Sequence, residues 1–428
     1  MRELLVDPLA EREGVLTIGG VRATDLAGRH GTPLYVLSED RIRANYRRLA
    51  GGFRRRYAQS RVHYAVKANT NLAVLSILRQ EGAGADASCP AEIELARRAG
   101  FPSDEILYTG AYPTRAELDY ALDAGVAINL DSGSRLAQVG ERDPKPVLSF
   151  RVNPGDGKGK HGLVFAGRDA KFGLPPDAVL EAFRAARALG FERFGIHMMA
   201  GSCVLDPTYF PEITGRLLEV AGRVAAEVGI RFEFVDIGGG FGVPYEPSEE
   251  VLDIDRVAAE VAAAMVDGCD RHGLGRPRLL LEPGRYLVAD AGVLLTEVQG
   301  VKPGATVFVG VDAGMNTLLR PALYDAYHPV VVANRLRDPP GPPVTIVGPV
   351  CENTDVLARD RELPPVREGD LLAVLNAGAY GFSMSSQYNS RPRAAEVLVH
   401  DGTAEVVRER EGFADLVSRQ TLPGRLVR

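Results

Sequence analysis

The stretch VHYAVKANTNLAVLSILRQEGAGADASCPAEIELARRAG, residues 62–100, decides the fold. VHYAVKA is a short apolar run of strand character. NLAVLSILRQEG spaces its apolar residues as a helix does and ends in glycine. GADAS is short again, and PAEIELARRAG is a second helical segment closed by glycine, a common C-cap. Two strand–helix units in a row imply parallel strands joined by right-handed crossovers.

The alternation continues on both sides. Upstream lie PLYVLS and EDRIRANYRRLAGGFRRRY. Downstream come EILYTG, TRAELDYALDAG, VAINLDS, PVLSFRVNP, DAVLEAFRAARALG, RFGIHMMAGS and FEFVDIGGG. About eight such units in ~250 residues predict a (β/α)8 barrel over residues 33–290. An open doubly wound sheet is the other arrangement the pattern allows. After residue 290 the texture changes to short β runs split by Gly and Pro, such as PPVTIVGPV and GDLLAVLNAG. Residues 291–428, with the β-like segment 1–32 (GVLTIGGV), are expected to form a second, mostly antiparallel, β-barrel-like domain. A proline-rich loop at 338–343 falls inside it.

Composition narrows the function. The 428 residues are 45% hydrophobic and 25% charged, as in a globular protein with a large core. The net charge of -6 and the lack of a basic stripe argue against nucleic acid. No apolar run reaches the ~18 residues of a membrane span. The N-terminus is charged and carries no apolar signal core, so a cytoplasmic protein is expected. Cysteines 89, 203, 269 and 351 form no CxxC pair, so free thiols are expected and a metal site is not.

Barrel enzymes carry their reactive groups at the C-terminal ends of the strands. Lys67 closes the run VHYAV and would stand there, where a lysine can form a Schiff base; a solvated surface lysine is the ordinary alternative. DIGGGFG follows the strand FEFV, and Gly238, Gly239, Gly240 and Gly242 would let backbone N–H groups approach a phosphate, or make a plain tight turn. LLLEPGRYLV places Glu282 and Arg285 beyond a strong strand, suited to a protonated ring nitrogen and to a carboxylate, or to each other as a surface ion pair. GPVCENTD puts Cys351 and Glu352 in a loop of the β domain. GAYGFSMSSQYNSRPR surrounds Tyr380 and Tyr388 with small residues.

YAVKAN, a modified HxxxGS, GGGFG, EPGR, RPALYDAYH, CENTD and GAYGFSMSSQYNSRPR occur in this order. Together, over about residues 30–400, they resemble the pyridoxal-phosphate decarboxylases of alanine-racemase-like fold, the ornithine/diaminopimelate group, and the diaminopimelate branch most. That resemblance implies a barrel plus β domain, pyridoxal 5'-phosphate as cofactor, and a homodimer with shared active sites. Lys67 matches the cofactor-bearing lysine. Ser202 and glycines 238–242 match the phosphate cradle, and Glu282 the partner of the ring nitrogen. Tyr380 matches a tyrosine at cofactor and substrate. Arg285, Arg320 and Tyr324 match groups that hold the retained carboxylate. Cys351, a proton donor, and Glu352, a partner for the distal ammonium, match residues lent by the other subunit. The implied reaction is decarboxylation of meso-2,6-diaminopimelate to L-lysine. Ornithine enzymes of this fold resemble CDxxD where this chain has CENTD. The chain departs from the pattern at Met199, where a ring-stacking histidine is usual. Decarboxylases of carrier-tethered or other basic amino acids are the runner-up. A non-catalytic regulatory relative and a racemase are further alternatives.

Overall fold

The computed structural model describes residues 5–155, 157–159, 166–167 and 170–427. The first four residues and the last residue of the expected β domain lie outside these. The chain divides into two units, one of residues 42–244 with 248–288, the other of residues 1–41, 245–247 and 289–428.

In the first unit eight parallel strands close into a barrel. In chain order they are Ser60–Ala65, Gly84–Ala87, Ile106–Tyr108, Ala127–Leu130, Leu148–Val152, Phe194–Met198, Phe232–Asp236 and Arg278–Leu281, and the last pairs with the first. Helices cover the sheet, so strands such as Leu148–Val152 and Phe194–Met198 are buried along their whole length. Packing is aromatic on one side. The Phe183 ring meets those of Phe150, Phe232 and Phe194 edge-on at 4.9, 5.5 and 5.8 Å. Local signals set the helix ends. Thr114 and Glu117 form a capping box. Asp253 caps Ile254–His272, which ends at Gly273 in the left-handed conformation.

The second unit is built on a sheet whose order runs Val356–Glu362, Pro343–Val347, Phe308–Val311, Gly292–Lys302, Leu34–Ser38, Ala395–His400, Thr403–Arg408. Most pairs are antiparallel; Leu34–Ser38 with Ala395–His400, and Phe308–Val311 with Pro343–Val347, are parallel. Residues 9–22 add a small three-stranded sheet, and Leu16 and Ile18 share a core with Leu34, Val36 and Val397.

One boundary differs from the sequence reading. PLYVLS was expected to open the barrel from residue 33. Its strand, Leu34–Ser38, instead pairs with Gly292–Lys302 and Ala395–His400 in the β unit. A short, fully buried apolar run looks the same in either setting, and only its partners distinguish them. The barrel's first strand is Ser60–Ala65, whose closing turn holds Lys67.

Candidate active site

A set of charged residues gathers at the C-terminal ends of the barrel strands. Lys67 sits in the short turn Val66–Ala68 just beyond Ser60–Ala65. Its side chain is 44% exposed, while its partner Asp86, on the next strand, is 1% exposed; Lys67 Nζ donates to Asp86 Oδ2 at 2.6 Å. Across the barrel, Arg151, His197 and Asp236 stand level on three adjacent strands. His197 Nε2 lies 3.2 Å from Glu282 Oε2, just past the strand Arg278–Leu281. One nitrogen of His197 and one carboxylate oxygen each of Asp236 and Glu282 all lie within 4.8 Å of one another, with all three residues buried.

Crowding carboxylates in a dry site forces them to ionise differently. Burial pushes Glu282 up, but the adjacent His197 ring and then the Lys67 charge outweigh it and hold Glu282 down at about 2. Asp236 is driven the other way, well above the usual carboxylate range, by burial and then by the Glu282 charge. The two carboxyls are thus pushed in opposite directions, Glu282 toward the anion and Asp236 toward the neutral acid. Burial, then Glu282, lift Asp86 to about 6 against the pull of the Lys67 ammonium.

Beside this cluster the glycine turn packs backbone against backbone. A β-carbon on Gly239 would collide with the Glu282 carbonyl oxygen; one on Gly240, at φ +93°, would stand 2.8 Å from that of Gly201. The turn's N–H groups are not equivalent. Gly238 donates to Asp236 Oδ1 at 2.8 Å, Gly239 to Met199 Sδ at 3.2 Å and Gly242 to the Val204 carbonyl at 3.0 Å. Neither the Gly240 N–H nor the Ser202 hydroxyl has a hydrogen-bond partner among the described residues.

The β unit carries its expected residues in three places. Arg320 and Tyr324 lie one turn apart on the helix Arg320–Tyr324. Cys351 and Glu352 are exposed on a loop that Asp355 organises, accepting from Met315 N and Val350 N at 2.6 Å each. Cys351 N–H donates to Asn389 Oδ1 at 2.8 Å, and Arg391 Nη2 to the Pro349 carbonyl at 3.1 Å, so CENTD and YNSRPR meet. Tyr380 is half-buried with φ at +57°, a conformation a bulky residue adopts only under constraint.

A profile of the pyridoxal-binding domain of pyridoxal-dependent decarboxylases matches residues 40–289. A diaminopimelate decarboxylase of Methanothermobacter thermautotrophicus is 52% identical over 97% of this chain and 98% of its own. The chain belongs to the diaminopimelate decarboxylase family. A second member, from Archaeoglobus fulgidus, is 41% identical over 96% of this chain and 98% of its own. The solved diaminopimelate decarboxylase from M. jannaschii in co-complex with L-lysine superposes with a TM-score of 0.91, at 35% identity, covering 98% of this chain and 99% of that one.

Pyridoxal phosphate fits what the barrel offers. An amine stands beside a carboxylate, a buried carboxylate is held ionised, and Gly240 and Ser202 offer donors at a turn no side chain could enter. Several residues here escaped the sequence reading. Asp86 and Asp236 each sit at or near the end of a short apolar strand, and a charge in that place is the signal that pointed to Lys67. His197 stood in the quoted HMMAGS without a role. Met199 was expected in a ring-stacking place; its sulfur accepts from the glycine turn.

Proposed function

We propose that this chain is a pyridoxal-phosphate-dependent carboxy-lyase that converts meso-2,6-diaminopimelate to L-lysine and carbon dioxide, the last step of lysine biosynthesis, as a cytoplasmic homodimer. The observation that carries the proposal is Glu282, buried against His197 and held toward its anion, within a cluster that Lys67 enters from the neighbouring strand end. When bound, the cofactor supplies an electron-poor ring that accepts the electron pair left by the departing carboxylate. Lys67 is the amine that would tether it. Gly240 and Ser202, with the turn 238–242, would hold its phosphate, and Tyr380 would serve cofactor and substrate. Glu282, as an anion, keeps a proton on the ring nitrogen; Asp236 and His197 keep Glu282 in place and in charge state.

Charge counting selects the substrate. Beyond the reacting carbon, diaminopimelate keeps one carboxylate and one ammonium. Arg285, Arg320 and Tyr324 hold the carboxylate, with the planar fork of arginine suited to it. Glu352 takes the ammonium. Cys351 returns a proton to the carbon that loses carbon dioxide. Both residues of the CENTD loop are exposed in a single chain, which supports their service to the active site of a second subunit.

Met199 favours one second reading, a decarboxylase of a carrier-tethered or other basic amino acid, because a thioether cannot donate a proton or carry charge. The test is direct. The purified protein with pyridoxal phosphate is given meso-diaminopimelate, ornithine, lysine and an aminoacyl carrier protein, and released amine and carbon dioxide are measured. Lysine formed from diaminopimelate alone is expected. Turnover of another substrate, with none of diaminopimelate, would replace the reading.

A further inference from the structure

The helix Arg320–Tyr324 begins on an arginine that is only 5% exposed. A long cationic side chain buried this far is costly to hold in one place unless its surroundings fix it. Two rings do so here. Arg320 Nη1 lies 2.8 Å from His328 Nε2. The guanidinium carbon lies 4.7 Å from the centroid of the Tyr245 ring, a cation–π contact. The rings of Tyr245 and His328 meet edge-to-face, with centroids 5.2 Å apart at 82°. Tyr245 is 5% exposed and His328 fully buried.

Hydrogen-bond bookkeeping settles the state of His328. A guanidinium donates and cannot accept, so Nε2 must offer its lone pair. The other ring nitrogen, Nδ1, lies 2.9 Å from the Leu375 carbonyl oxygen, which can only accept, so the proton sits on Nδ1. Both contacts demand the same neutral tautomer. An imidazolium there would have no lone pair for Arg320 and would set two cations 2.8 Å apart. Leu375 is itself fixed, because its N–H donates to the Pro329 carbonyl at 2.9 Å and it follows the strand Leu371–Val374. A chain of contacts therefore runs from the sheet through His328 to the arginine.

We propose that His328 is a positioning residue for substrate recognition: a tautomer-locked acceptor, anchored on the Leu375 carbonyl, that with the face of Tyr245 presets the Arg320 guanidinium for the substrate's retained carboxylate. This rests on the reading that Arg320 binds that carboxylate. His328 touches neither substrate nor cofactor and acts through Arg320 alone. Presetting the fork lowers the ordering cost of each binding event, so its loss weakens binding of ligands that carry the carboxylate.

Two amide variants of the holoenzyme separate the contacts. His328→Asn can keep the bond to Leu375 but has no acceptor where Nε2 was. His328→Gln places an amide oxygen near the Nε2 position and can still accept from Arg320. For His328→Asn we expect KM for meso-diaminopimelate to rise about tenfold, with kcat within about threefold of wild type, the scale of one lost hydrogen bond. His328→Gln should recover most of that loss. Binding provides a second readout. L-lysine, which keeps the carboxylate, should bind His328→Asn about tenfold more weakly, while cadaverine, which lacks it, should bind as to wild type. Equal weakening of both ligands, unchanged KM, or no recovery by His328→Gln would overturn the proposal. If His328→Asn does not fold, Tyr245→Leu against Tyr245→Phe asks the same question, since phenylalanine keeps the ring face and leucine does not. Arg320→Ala distinguishes the two failures. If it leaves the preference for lysine over cadaverine intact, the carboxylate reading falls. If it abolishes that preference while His328→Asn does not, only the positioning role falls.

Discussion

The barrel mouth and the loops of the β unit prepare their functional residues by different physics. At the mouth the means are burial and charge. Asp86, His197, Asp236 and Glu282 are each 6% exposed or less, and crowding pushes two of the carboxylates in opposite directions. In the β unit the means are backbone geometry. Asp325, Asn376, Tyr380, Asn389 and Ser390 all have positive φ, between +51° and +57°, and lie in or beside the RPALYDAYH and GAYGFSMSSQYNSRPR stretches. Such residues cost on the order of 1–3 kcal/mol each and persist only where the surroundings enforce them. The thiol of Cys351, the proposed proton donor, is exposed there rather than buried. A group whose electrostatics must be set needs a dry surrounding in its own chain. A group proposed to serve another chain, as Cys351 is, needs exposure and a rigid loop.

The largest expected effect tests whether the two regions really differ in this way. Lys67→Ala should lower turnover by about 10³-fold or more and abolish the visible absorbance band of the bound cofactor. Cys351→Ala should cost turnover heavily while leaving that band intact, because the role proposed for the thiol is a later proton transfer. Mixing the two inactive variants should restore activity if each active site draws the lysine from one chain and the thiol from the other. A band lost in both variants, or no recovery on mixing, would break the division of labour.

A second, smaller effect concerns acid. His63, on the barrel's first strand and 4% exposed, has its pKa pushed down to about 4 by burial, against an ordinary value of 6.5. The sign follows from linkage. Below pH 6.5 the unfolded chain takes a proton that the native His63 refuses, so its contribution falls as pH drops from 6.5 and levels off below about 4. Across that window the loss is roughly 3 kcal/mol, at about 1.36 kcal/mol per pKa unit. Asp86, lifted to about 6, acts in the opposite sense, since its native carboxyl binds a proton more readily than the unfolded one. The wild-type curve therefore mixes both. Urea unfolding of wild type and His63→Leu between pH 7 and 4 isolates the histidine, and the variant should lose less stability over that range. Parallel curves would show that burial at the barrel carries no such penalty.

The barrel was legible because its information is local. Parallel strands buried on both faces read as continuous apolar runs, and a lysine or glutamate that ends such a run stands out. Leu34–Ser38 defeats the same reading, since its burial matches a barrel strand and only pairing with Gly292–Lys302 places it elsewhere. Asp236 is masked in the sequence by the glycines that follow it, which signal backbone geometry rather than charge. His328 and Tyr245 were not legible at all as partners of Arg320. Tyr245 lies seventy-five positions away along the chain, and a contact between ring and guanidinium leaves no spacing rule to find. The positive φ values of the β unit leave only a faint mark, since asparagine and aspartate tolerate that conformation but tyrosine at 380 does not advertise it.

The smallest effect separates side chain from backbone in the Cys351 loop. Asn389 does two things: it takes φ +57°, and its Oδ1 accepts from the Cys351 N–H at 2.8 Å. Asn389→Gly keeps the left-handed backbone without strain and removes only the acceptor. Asn389→Ala removes the acceptor and also makes the backbone unfavourable. If the side-chain bond fixes the loop, both variants should slow the Cys351-dependent step alike. If backbone geometry fixes it, Asn389→Gly should stay near wild type in turnover, with stability within about 1 kcal/mol, while Asn389→Ala loses more. The geometric character of the β unit favours the second outcome, because Arg391 also ties this stretch to Pro349 and Asp355 holds the loop from beneath. Equal damage in the two variants would mean that even here a single buried-style hydrogen bond, rather than the shape of the chain, sets where the thiol stands.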